Sequence, residues 1–131
     1  MGKHRRTKPQ RASLAAPSVN YSKARGVAKQ YPALPDNIGK RTKWKNIRGE
    51  LRTITILDEI RRVQSNASHK VICLQKLRFD QSGETEYRLG YYMIGVKPRM
   101  AGRWTWGQFA ILIPAKDFRW VVRQPQKRGW I

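Results

Sequence analysis

Leu51-Arg52-Thr53-Ile54-Thr55-Ile56-Leu57-Asp58-Glu59-Ile60-Arg61-Arg62-Val63-Gln64 is the stretch on which the fold turns. Leu51, Ile54, Leu57, Ile60 and Val63 recur every three residues with Ile56 beside them, while Arg52, Glu59, Arg61 and Arg62 fall largely elsewhere. That spacing predicts an amphipathic helix over residues 50–64. The β-branched run Thr53-Ile54-Thr55-Ile56 argues against the first half of it, because such side chains lose rotamer freedom in a helix and suit a strand. A strand over 51–56 followed by a short helix is the second reading of the same residues.

Downstream the pattern is β. Lys70 to Phe79 reads as a strand with Val71, Cys73, Leu77 and Phe79 on one face, and Asp80-Gln81-Ser82-Gly83 supplies turn chemistry. A second strand, Glu84 to Val96, is expected to close an antiparallel hairpin. The basic connection Lys97 to Arg103 leads to a third strand, Trp104 to Ile113. Pro114 then suits a first helical turn, and Phe118, Val121 and Val122 form a short apolar stripe that Pro125 interrupts. The expected class is α+β: a small curved antiparallel sheet of three to four strands with a preceding and a C-terminal helix, plus a long basic N-terminal arm.

Upstream, charge dominates. The 131 residues hold 28 Lys and Arg against 8 Asp and Glu, a formal net charge of +20. Through residue 48 the one acid is Asp36, and Leu14, Val19, Val27, Leu34 and Ile38 are scattered without a helical or strand period. Pro9, Pro17, Pro32 and Pro35 each remove a backbone donor and bias the preceding residue away from helix. Residues 1–40 therefore read as an extended arm, disordered unless bound, and 41–131 as a single α+β nucleic-acid-binding domain.

These numbers also exclude classes. The apolar run Phe109 to Ile113 is far too short to span a bilayer, and no continuous apolar stretch follows the basic N-terminus, so neither a membrane span nor secretion is expected. The single cysteine, Cys73, has no partner for an internal disulfide, and its expected place is the core. An intracellular location, cytoplasmic or nucleoid-associated, follows. There is no Walker pattern, no Asp/Glu-x-Lys element and no cluster of His and Cys, so no catalytic residue, metal or cofactor is expected.

The partner that remains is a polyanion. On a strand, Trp104 and Trp106 project from one face, beside Lys97, Arg99 and Arg103. Indoles stack on unpaired bases while cations hold the backbone; the competing reading has both tryptophans covering the core. Register decides whether Tyr87, Leu89, Tyr91 and Met93, or Arg88, Tyr92 and Ile94, share their face. Further phosphate contacts are expected from Arg5, Arg6, Lys8 and Arg11 in the arm, from Lys40, Arg41, Lys43 and Lys45, and from Lys127 and Arg128 in the tail, with Trp130 as an anchor docking on the domain.

Arg103-Trp104-Thr105-Trp106-Gly107-Gln108-Phe109-Ala110-Ile111-Leu112-Ile113-Pro114, with Asp117-Phe118 opening the helix, resembles the Pur/Whirly class of single-stranded nucleic-acid-binding proteins over residues 103–122. The resemblance implies single-stranded DNA or RNA laid across the sheet and homo-oligomers that build a larger one. The first strand of that class has a counterpart here only if residues 51–56 supply it. The function expected is a non-enzymatic protein binding RNA or single-stranded DNA. The alternatives are a structural subunit of a large ribonucleoprotein, ribosomal or similar, with protein neighbours, and a small nuclease or accessory subunit of a nucleic-acid-processing complex.

Overall fold

The computed structural model describes residues 31–131. It is a five-stranded antiparallel half-barrel with one C-terminal helix. Strands β1 (Arg41–Lys45), β2 (Leu51–Gln64), β3 (Ala67–Phe79), β4 (Thr85–Ile94) and β5 (Trp104–Trp106) are neighbours in chain order, and α1 (Ala115–Lys127) follows.

This corrects the expected class in two places. The sheet has five strands rather than three to four, and no helix precedes it: residues 51–64 form one long strand, paired with β1 on one side and β3 on the other. The cause of the helical spacing is a bulge. Ile56 pairs with Leu77 and Asp58 with Lys76, so Leu57 is an extra residue that reverses the phase of the strand. Ile54 and Ile56 therefore lie on one face of the sheet, and Asp58 and Ile60 on the other. An apolar residue every third position serves both sides of a strand that is covered on both. The strand expected over 104–113 is also shorter, ending at Trp106.

Helix α1 lies on the face of Asp58, Ile60 and Arg62, here the helix face. It runs through the buried Pro125 to Lys127 rather than stopping at the proline. Its end is a Schellman turn: Gly129 takes φ +75°, its N–H donates to the Gln126 carbonyl at 3.1 Å, and the Trp130 N–H donates to the Pro125 carbonyl at 2.8 Å. That reversal drives Trp130 back onto the sheet. There its indole N–H donates to Asp58 Oδ2 at 2.9 Å and its ring stacks on Tyr87 at 5.8 Å. At the other end, Asp117 accepts from Arg62 Nε at 2.7 Å and from the Ser65 N–H at 2.9 Å, tying the helix start to the β2–β3 turn.

The opposite face is crossed by residues 31–40, and is called the strap face below. Tyr31 meets Trp104 edge to face at 5.6 Å, and the Trp104 indole N–H donates to the Pro32 carbonyl at 2.7 Å. Arg61 donates to the Pro35 carbonyl. The buried Asn37 donates to the Tyr92 hydroxyl at 2.7 Å and to Glu59 at 3.4 Å. Gly39 and Lys40 then pair with Ile56 as the chain enters β1. The last ten residues read as arm are thus packed against the domain; residues 1–30 lie outside the described residues.

Candidate nucleic-acid interface

Two apolar clusters occupy the strap face. One gathers Ile54, Ile56, Leu77 and Phe79 under Trp44; the other gathers Val71, Cys73 and Tyr92 under Leu34, Val63, Trp104 and Trp106. Between them, register places one polar row across three strands: Glu59 on β2 opposite Gln75 on β3, and Gln75 opposite Arg88 on β4.

Tyr92 pairs with Trp106 and Ile94 with Trp104, which settles the register. Arg88, Tyr92 and Ile94 share the face of the two tryptophans, and Tyr87, Leu89, Tyr91 and Met93 belong to the helix face. Both indoles are half-buried. Trp106 sits against Gly90, where a β-carbon would lie 2.3 Å from its Cζ2, with the Tyr92 ring 5.1 Å away edge to face and the Arg88 guanidinium 5.1 Å from its centroid. The tryptophans therefore cover the core and keep part of their surface outside.

The polar row is a relay. Arg61 Nε donates to Glu59 Oε1 at 2.7 Å, and Gln75 Nε2 donates to Glu59 Oε2 at 2.6 Å. With its amide nitrogen committed to the carboxylate, Gln75 turns its oxygen to Arg88, accepting from Nε at 2.9 Å and from Nη2 at 2.7 Å. Arg88 lies outside the set of expected phosphate contacts; its signal in the sequence is the alternation Arg88-x-Gly90-x-Tyr92, which becomes meaningful only once register joins it to Trp106.

The other expected contacts do not converge. Arg41, Lys43 and Lys45 lie on β1 at one edge of the sheet, and Lys97, Arg99 and Arg103 lie in the exposed connection into β5 at the other. Arg41 pairs with Asp80 at 2.8 Å, Lys43 donates to Thr53 at 3.0 Å, and Lys40 to Asn37 at 3.3 Å. Lys127 is exposed in the last helical turn. Arg128 is removed from the expected set: its side chain is 3% exposed and its Nη1 donates to Asp58 Oδ1 at 3.2 Å and to the Glu59 carbonyl at 3.2 Å. A guanidinium held inside by a carboxylate has no free face for phosphate. Arg5, Arg6, Lys8 and Arg11 lie outside the described residues.

Burial raises the Asp58 carboxyl above its ordinary range, and Arg128 and Trp130 only partly oppose it. Burial also pushes Asp117 up, but the Ser65 N–H, Arg62 and the Ser65 hydroxyl together outweigh it and hold the group below its ordinary value. Burial pushes the Cys73 thiol well up, which keeps it protonated and unreactive. Among the described residues no group of three or more His, Cys, Asp or Glu side chains could hold a metal ion, and no helix is long and apolar enough to cross a membrane. No family model matches the chain, and no curated protein or solved structure is significantly similar to it.

Proposed function

We propose that the protein is a non-enzymatic, intracellular nucleic-acid-binding protein that takes RNA or single-stranded DNA along the β4–β5 side of the strap face. The observation that carries this reading is the juxtaposition there of two half-exposed indoles, Trp104 and Trp106, with Arg88 on the same face and the exposed Lys97, Arg99 and Arg103 in the adjoining connection. Aromatic surface open to one side contributes roughly 1–3 kcal/mol per stacked base, and the cations supply a salt-sensitive hold on the backbone. A net charge of +20 adds a general attraction for any polyanion.

Fluorescence anisotropy against matched single-stranded RNA, single-stranded DNA and duplex DNA at two salt concentrations tests the proposal, with tryptophan emission followed in parallel. Single-strand preference with quenching is the expected result. Equal, salt-labile binding to all three without quenching would reject the aromatic surface and favour a phosphate-neutralising scaffold within a ribonucleoprotein.

A further inference from the structure

The cation of the polar row is in an unusual position. Arg88 is half-buried, yet its side chain donates to the neutral amide oxygen of Gln75 rather than to a carboxylate. The nearest carboxylate in the row, Glu59, is already taken by Arg61, Gln75 and Asn37. A desolvated charge whose nearest carboxylate is shared with another arginine is costly unless a further anion offsets it.

Geometry says which edge would receive it. Gln75 Oε1 accepts from Nε and Nη2, so the near side of the guanidinium is occupied. What remains is the far edge, formed by Nη1 and the second N–H of Nη2, two parallel donors in one plane. Glu59 fixes the amide of Gln75, Gln75 fixes the fork, and Trp106 lies against it. A planar fork held in advance matches two oxygens of one phosphate, and an ammonium in its place would not.

We infer that the far edge of Arg88 is a phosphate subsite, in which two N–H groups positioned by Gln75 take two oxygens of a single phosphate group beside the Trp106 indole. The inference rests on the reading above in one respect: there the phosphate is a phosphodiester of the bound strand. Free phosphate offers the same oxygens without the strand. Gln75 and Glu59 are positioning residues, since neither reaches the ligand.

The test uses the full chain and a dT12 oligonucleotide. R88K keeps the charge and loses the fork; it is expected to weaken dT12 binding about tenfold, corresponding to the loss of one charge-assisted bidentate contact. R119K, at an exposed position on α1 away from the strap face, is expected to leave affinity within about twofold. Equal effects of the two variants, with R88K still folded by near-UV circular dichroism, would overturn the inference. Side-chain 15N NMR of the wild-type protein needs no variant. The Arg88 Nε–H resonance, identified by its ring-current shift from Trp106, is expected to move on adding dT12. A shift with inorganic phosphate as well assigns the site to phosphate in general, and a shift with dT12 alone assigns it to the strand. No Arg88 shift while dT12 binds sinks the subsite and leaves the nucleic-acid reading standing. If dT12 does not bind, that reading fails, and inorganic phosphate alone decides the subsite by moving the resonance or leaving it unmoved.

Discussion

Trp130 and Asp58 stand 72 positions apart in the chain, and the indole N–H of one donates to the buried carboxylate of the other at 2.9 Å. The same carboxylate receives Arg128, so residues 128–130 close the helix onto the middle of the longest strand. These contacts make the segment after α1 part of the fold.

Trp130→Ala is accordingly expected to cost about 3–5 kcal/mol, from lost burial plus a carboxylate deprived of a donor. Urea unfolding followed by far-UV circular dichroism measures it. A cost below about 1 kcal/mol would show that the tail does not hold the helix.

Asp117 gives a pH dependence of known sign. Its carboxyl is lowered in the folded protein, because the Ser65 donors and Arg62 outweigh the burial that raises it. The stability it contributes is present above the ordinary value of 3.8 and is lost as pH falls through the lowered one. Asp58, raised by burial, acts in the opposite sense: its contribution favours the fold at low pH and fades as pH rises from 3.8 through the raised value. Asp117→Asn should lower stability at pH 7 by about 2 kcal/mol, with the gap to wild type closing as pH drops below 3.8. A gap that stays constant down to pH values of about 2.5 would contradict the assignment.

Gly90 is required by the indole above it. A β-carbon at that position would sit 2.3 Å from Cζ2 and 2.6 Å from Cη2 of Trp106, parts of a rigid ring that cannot fold aside. Gly90→Ala is expected to cost about 1–3 kcal/mol, to shift the tryptophan emission, and to weaken single-strand binding by displacing Trp106 from Arg88. Unchanged emission and affinity would separate the two side chains functionally.

Two truncations separate charge from packing at the N-terminus. Deleting residues 1–30 removes Lys3, Arg5, Arg6, Lys8, Arg11, Lys23, Arg25 and Lys29, and should flatten the salt dependence of nucleic-acid binding. Deleting residues 1–40 also removes Asn37, leaving Tyr92 and Glu59 short of a donor, along with the Leu34 packing. A further loss of about 1–3 kcal/mol is expected. If both truncations unfold at the same denaturant concentration, residues 31–40 contribute nothing to the fold.

Local chemistry alone determined a good part of this protein. The hairpin of β3 and β4 was legible from alternation and a turn-rich tetrapeptide, as was the helix after Pro114, because strand period and proline geometry act over a few residues. The net charge of +20 supports the proposed polyanionic partner without reference to the fold. Tertiary structure decided the rest. Whether 51–64 was helix or strand depended on partners at both edges and on a bulge at Leu57, which turns a period of two into an apparent period of three when both faces are covered. The burial of Arg128 depended on Asp58, and the place of Arg88 beside Trp106 depended on the β4–β5 register. Shifting a strand by one residue reverses every side chain on it, and only pairing across the sheet selects the register.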